Sequence, residues 1–547
     1  MYVFDSTLRD GTQGEGVSFT VKDKVKIVKI LDKLGIDYIE GGNPGSNPKD
    51  TEFFEEMRNV RLKNSKLVAF GSTRRPHIKA KDDANVEAIL NAETDVVAIF
   101  GKSWDFHVTH VLRTTCEENL EMIKDTIAYL KANGKEVVFD AEHFFDGYKA
   151  NPEYAMAALR AAEDAGADWL VLCDTNGGTF PSDVGKITRL VKDTFSTPIG
   201  IHCHDDGGMA VANSIAAVEE GATQVQGTIN GYGERCGNAN LSIIVPNLQI
   251  KMGKSCVPEK RMKSLTSVSR YVDEIANLQP VDSMPYVGNS AFAHKGGMHI
   301  DAILKEPISF EHIEPVLVGN ERRILMSEVA GRSTVLRKIQ RIDPSITKDC
   351  PETHMIIDEL KQLEYEGYQF EGAEGSFELM IMRILGEEIE FFDVKSFKVF
   401  SEDHWSGDYS ASAIVKLEVD GVDEITAAEG DGPVNALDLA LRKALEVFYP
   451  QLKAMKLTDY KVRVLDATKT TASMVRVHIE SADGKRMWGT VGVSTNIIEA
   501  SWIALVDSIE YYLYHEKEWK ELDRKMRENN NQNNNNSLLN IAKSAKG

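Results

Sequence analysis

Two histidines stand two residues apart in "IHCHDDGG", residues 201–208. On a strand, positions i and i+2 share a side, so His202 and His204 face one way and Cys203 the other. Two imidazoles on one side at a strand's end suit a divalent metal, although a pair of surface or core histidines has the same spacing. Two other stretches offer oxygen donors: Asp10 in "FDSTLRDGTQGEG" (4–16) and Asn238 in "GYGERCGNANLS" (231–242). One carboxylate, two imidazoles and an amide oxygen form a mixed N/O set without thiolate. Such a set suits Mg, Mn, Co or Zn with positions left open for substrate oxygens. Cys236, close to Asn238, reads as a small buried residue. Arg9, next to Asp10, could join the metal in polarising a carbonyl, or it could close a salt bridge. Glu142 lies in "FDAEHFF" among apolar and aromatic neighbours. Burial there would raise its pKa and let it move protons, unless it makes a structural hydrogen bond. Gly11, Gly14 and Gly16 would let the first loop turn tightly.

These residues need a scaffold that gathers them. Eight short apolar runs precede residue 231: "YVFDST" (2–7), "YIEGG" (38–42), "KLVAFGST" (66–73), "VVAIFGK" (96–102), "EVVFDAEH" (136–143), "WLVLCDT" (169–175), "PIGIHCH" (198–204) and "QVQGTIN" (224–230). Helical stretches such as "PEYAMAALRAAEDAG" separate them. Eight strand–helix units over residues 1–250 predict an α/β fold, a (β/α)8 TIM barrel. An open doubly wound sheet is the alternative, but no G-x-G-x-x-G follows the first strand. In a barrel the carboxyl ends of the strands meet at one mouth. Those ends carry Arg9 and Asp10, Glu40, Thr73 and Arg74, Lys102, Glu142, Thr175, His202 and His204, and Asn230.

Residues 251–386 read as a helical linker region, with "ERRILMSEVAGRSTVLRKI" amphipathic and "YEGYQFEGAEG" a connecting segment. Residues 387–515 form an α+β unit with an internal repeat, in which "AAEGDGPVNALDLALRKALE" resembles "GTVGVSTNIIEASWIALVDSIE". The tail, 516–547, carries the low-complexity "NNNQNNNN" and reads as disordered at its end. The formal charge of 63 − 84 = −21 makes nucleic acid a poor partner. Six cysteines without a C-x-x-C pair argue for a reducing compartment. No secretory or membrane-spanning pattern is visible, so a cytoplasmic protein away from membranes is expected.

"STLRDGTQGEG", "IHCHDDGG" and "GERCGNANL" together resemble the metal-dependent barrel family of 2-isopropylmalate, homocitrate and citramalate synthases. The likeness extends over about residues 1–515, and "EGGNPGSNPKD" and "GNERR" favour the citramalate branch. It implies an acyltransferase in which the enolate of acetyl-CoA attacks the keto carbon of pyruvate, and the thioester is then hydrolysed. It implies Asp10, His202, His204 and Asn238 as metal ligands. Arg9 would stabilise the oxyanion, and Thr175, Gln13 and Asp301 would contact substrate. Glu142 and His299 would carry the proton transfers, with His299 supplied from the partner subunit of a homodimer. The C-terminal repeat would bind an end-product amino acid, isoleucine on this branch. 2-Isopropylmalate synthase and a C–C lyase on the same barrel are the competing activities. Trp104 and His107 are candidates to close the keto-acid pocket, with packing or a CoA contact as the alternatives.

Overall fold

The computed structural model describes residues 1–295, 297–324, 336, 339–340, 346–347, 350–387, 389–403, 409–465, 473–483, 486–516 and 519. Most of the amphipathic segment 321–339 and the Asn-rich tail lie outside the described residues. The chain forms two compact units, Met1–Ala293 with Glu311–Arg323, and His294–Phe310 with Ile324–Gly547.

The first unit is a closed barrel of eight strands in sequential order: β1 Tyr2–Asp5, β2 Tyr38–Gly42, β3 Lys66–Ser72, β4 Val96–Lys102, β5 Glu136–Glu142, β6 Trp169–Asp174, β7 Ile199–Cys203 and β8 Gln224–Gly227. All neighbours are parallel, and β8 closes onto β1 with Val3 opposite Val225. Every residue of β6 and β7 is buried. That follows from a parallel barrel packed inside and out. Alternation divides the two faces. Phe4, Tyr38, Val68, Phe70, Ala98, Val138, Val171 and Cys173 fill the interior. Their neighbours Val3, Ile39, Ala69, Val97, Val137 and Leu172 pack outward under the helices.

The helices start and stop where local chemistry directs. Thr20 and Asp23 form a reciprocal capping box at the start of helix Val21–Leu34, and Gly35 ends it at φ 100°. Ile27, Val28, Leu31 and Leu34 of that helix are buried. Full burial of each such side chain is worth roughly 1.5–3 kcal/mol. Several strands end one to three residues earlier than their apolar runs suggest. The polar residues that follow belong to the loops of the mouth.

In the second unit, β9 Asp393–Asp403, β10 Tyr409–Val419 and β11 Val422–Gly430 form an antiparallel sheet followed by helix Pro433–Leu445. β12 Lys456–Val464, β13 Val475–Ala482 and β14 Met487–Ser494 form a second sheet, followed by helical residues 497–516. The internal repeat is thus three antiparallel strands and a helix, made twice. Ala411, Ala413, Val415, Leu417 and Val419 alternate into one core with Leu437 and Leu441 of the first helix and Leu505 and Ile509 of the second. The segment "YEGYQFEGAEG" is more than a connector: Phe370 is buried against Phe377, whose rings lie 5.6 Å apart.

Candidate metal centre and active site

After β1 the amides of Arg9, Asp10 and Gly11 all point to the Ser6 carbonyl, at 3.1, 2.9 and 3.0 Å. The resulting turn sends Arg9 and Asp10 toward the end of β7. His202 is an inward residue of β7, and His204 follows directly after the strand. Asp10 Oδ2 lies 3.4 Å from His202 Nε2 and 3.9 Å from His204 Nε2. One donor atom from each of the three side chains falls within 4.8 Å of the others, so the group could hold a metal ion. All three are buried.

Asn238 is brought alongside by an isolated β-bridge to His204. Its Nδ2 donates to the Tyr232 carbonyl at 3.1 Å. Gly233 permits this: a Cβ there would lie 2.2 Å from Asn238 Nδ2. The remaining amide atom, Oδ1, is buried without a hydrogen-bond partner. Leaving a buried acceptor unmatched costs about 1–3 kcal/mol. A cation would remove that cost, and the four donors fit a hard or borderline divalent ion.

Charge is arranged to suit. Burial alone would raise the Asp10 carboxyl, but Arg9 and the two histidines outweigh it and hold the group well below the usual carboxylate range. Burial works against a charged His202, yet its hydrogen bond to Asp10 prevails and raises it. His204 is pushed down to about 4 by burial and by neighbouring His202. At neutral pH it therefore keeps a free lone pair.

Arg9 makes the salt bridge that its place beside Asp10 allows. Its Nε donates to Glu40 Oε2 at 2.7 Å, and its Nη1 lies 3.1 Å from Asp10 Oδ2. The guanidinium lies over Phe70, 3.7 Å from the ring centre. Ser6 Oγ donates to the same Glu40 oxygen, while Glu40 Oε1 is buried without a partner. Glu40 thus fixes the cation beside the Asp10 carboxylate, a role its bare place at a strand end did not reveal.

Other residues depart from expectation. Glu142 is not an isolated carboxyl in an apolar pocket, because Lys102 Nζ bonds directly to its Oε2. Arg74 turns out of the barrel to Glu118 and Asp125, both at 2.8 Å. Asn230, in a left-handed turn at φ 61°, bonds to Ser269 and Asp273 and so leaves the mouth. Cys236 is exposed at its loop's surface. Of the three loop glycines only Gly16 takes a positive φ, of 79°. Thr175 Oγ1 accepts from the His143 amide at 2.8 Å. Gln13 is exposed, ending the single turn Gly11–Gln13. Trp104 stacks on His107 at 5.2 Å, and His107 lies 4.2 Å from the His143 ring. His299 and Asp301 lie exposed on helix Gly297–Lys305 of the second unit, His299 stacked on Phe310 and Asp301 bonded to Lys305 at 2.6 Å. Sequence reading missed Arg235, which grips Asp206 at 2.7 and 2.9 Å and the Thr175 carbonyl at 2.7 Å. An arginine inside a glycine-rich loop was the available signal.

Comparisons with known proteins agree with this architecture. Residues 1–272 match the HMGL-like family, 286–367 the homocitrate synthase post-HMGL domain-like family, and 371–513 the LeuA allosteric (dimerisation) domain. The (R)-citramalate synthase of Aquifex aeolicus is 55% identical over 95% of this chain and 98% of its own. That of Geobacter sulfurreducens is 54% identical over 94% and 98%. A probable 2-isopropylmalate synthase of Methanopyrus kandleri is 32% identical over 93% and 97%. With a barrel built around an Asp/His/His group and full-length relatives at this identity, the chain belongs to the (R)-citramalate synthase family.

Proposed function

We propose that the chain condenses acetyl-CoA with pyruvate and water to give citramalate and CoA. One observation carries the reading: Asp10, His202 and His204 converge with the unpartnered Oδ1 of Asn238 beside the Arg9 guanidinium. Those four residues would hold a divalent metal, Mg, Mn, Co or Zn. When bound, such an ion supplies Lewis acidity toward the keto-acid carbonyl.

The protein's own groups do the rest. Arg9, steadied by Glu40, places fixed positive charge where a carbonyl oxygen gains negative charge. Thr175 holds the keto-acid carboxylate, and Gln13 and Asp301 contact substrate. A methyl beside a thioester is a weak acid, so its proton needs a positioned acceptor. Glu142, paired with Lys102, and His299 are the groups assigned to proton transfer. Holding both substrates in reacting geometry lowers the cost of carbon–carbon bond formation. Water then hydrolyses the thioester.

The second unit, which matches an allosteric (dimerisation) domain, is read as the binding unit for isoleucine in a homodimer serving isoleucine biosynthesis. Six free cysteines and no described helix long and apolar enough to cross a membrane fit a cytoplasmic setting. The test is CoA thiol release from acetyl-CoA with a panel of 2-keto acids. Pyruvate is expected to be fastest. Faster release with 2-ketoisovalerate would replace this reading by 2-isopropylmalate synthesis, and no release with any keto acid would favour the lyase.

A further inference from the structure

β8 carries two glutamines, Gln224 and Gln226, each fully buried. A buried amide without hydrogen bonds is costly, so their partners matter. Gln226 stands opposite His202 in the register of β7 and β8. Its Oε1 lies 3.0 Å from His202 Nδ1. Its Nε2 lies 3.1 Å from Asp140 Oδ1, reached across the barrel interior from β5, and 3.3 Å from Gln224 Oε1. Gly200, two residues before His202, leaves the room: a Cβ there would lie 3.2 Å from Gln224 Oε1 and 2.9 Å from Val171 Cγ2.

We propose that Gln226 is a positioning residue that fixes the tautomer and ring orientation of His202, and that Asp140 orients Gln226 to do so. An amide NH2 only donates and an amide oxygen only accepts. An ionised Asp140 carboxylate only accepts, which places the NH2 beside it and turns Oε1 to the imidazole. A neutral His202 then carries its hydrogen on Nδ1 and presents the Nε2 lone pair on the side of Asp10. That is the tautomer a metal ligand needs, and partners of this kind commonly set it. His204 has no such support, since its Nδ1 is buried without a partner. The two imidazoles are therefore unequal: one is anchored from behind and the other is not.

The proposal rests on the reading of Asp10, His202 and His204 as ligands, and Zn²⁺ binding to the full chain separates the two. If the wild-type chain fails to bind Zn²⁺ in competition with a fluorescent chelator, that reading falls, and this proposal with it. If it binds, Gln226→Leu should weaken the affinity about 10- to 100-fold. Gln226→Glu, which keeps an acceptor for Nδ1–H, should stay within about threefold of wild type or bind more tightly, as outer-shell acceptors raise ligand basicity. Asp140→Leu should fall between them, because the amide can then turn over. Equal affinity in wild type and Gln226→Leu overturns the proposal, as does a Gln226→Glu loss as large as that of Gln226→Leu. The wild-type chain gives a reading without any change at Gln226. In the zinc-loaded, ¹⁵N-histidine-labelled protein, the His202 resonances, assigned by their loss in His202→Asn, should show hydrogen on Nδ1. Hydrogen on Nε2 would overturn the assignment.

Discussion

Arg9 and Arg383 each sit between two acids, and they differ in what surrounds them. In the barrel, Arg9 bridges Asp10 and Glu40. In the second unit, Arg383 bridges Asp507 and Glu510 at 2.9 and 2.8 Å. Asp507 is completed by the Ser376 hydroxyl at 2.6 Å. That cluster joins helix Glu374–Leu385 to helical residues 497–516, and through Ser376 it ties to the Val491 backbone of β14. Around Arg9 the arrangement continues outward. Asp10 also meets two imidazoles, and Asn238 Oδ1 and Glu40 Oε1 are left buried without partners. A trio of charges is therefore a pin or a site according to whether further donors converge on it.

Removing a ligand should give the largest difference between the clusters. Asp10→Asn should lower Zn²⁺ or Mn²⁺ content to a small fraction and reduce citramalate formation by at least about 10³-fold. Metal analysis beside CoA release checks this, with chelator-treated wild type as the matching control. Full turnover in a metal-free Asp10→Asn chain would reduce the barrel trio to a pin.

Arginine exchange gives a finer test. Arg9→Lys keeps the charge but loses the flat fork that touches Glu40, Asp10 and Phe70 together. It should cut kcat by about 10²- to 10³-fold, the cost of losing one oxyanion donor. Metal affinity should change far less. Arg383→Lys should leave kcat for pyruvate within about threefold in the absence of effector, and should lower stability by about 1 kcal/mol, modest because the side chain is 45% exposed. Equal kcat losses in the two variants would erase the distinction.

The sequence conveyed the barrel because parallel strands buried on both faces leave near-continuous apolar runs. It conveyed His202, His204 and Asp10 because the i, i+2 spacing and the strand-end position are local facts. It failed where direction depends on distant partners. Arg74 and Asn230 stand after strands as Asp10 does, yet Glu118 and Asp125, and Ser269 and Asp273, draw them away. Glu142 looked apolar-bound because its partner Lys102 is 40 residues away. Gln226 had a readable signal: glutamines at 224 and 226 place two polar side chains on one face of a buried strand, as Asp140 does beside Val138. Such residues in a barrel interior need partners, and those partners lie on other strands.

The smallest predicted effect tests the Arg383 cluster as a purely structural device. Burial pushes the Glu510 carboxyl up to about 7 from its ordinary 4.5, with Arg383 pulling the other way and Asp507 adding to the rise. In the unfolded chain the group ionises near 4.5. Between about 4.5 and 7 the folded chain therefore holds more of this proton than the unfolded chain. Stability from this group is fully present below about 4.5, falls as pH rises through that window, and is level above about 7. Local opening of helix Glu374–Leu385, followed by amide hydrogen exchange corrected for the intrinsic rate, should ease from pH 5 to pH 7.5. Glu510→Gln cannot ionise and should lose this pH dependence, while Zn²⁺ affinity of the barrel stays as in wild type. A pH dependence that survives in Glu510→Gln would place the titrating group elsewhere. A change in Zn²⁺ affinity would mean that the second cluster, too, reaches beyond itself.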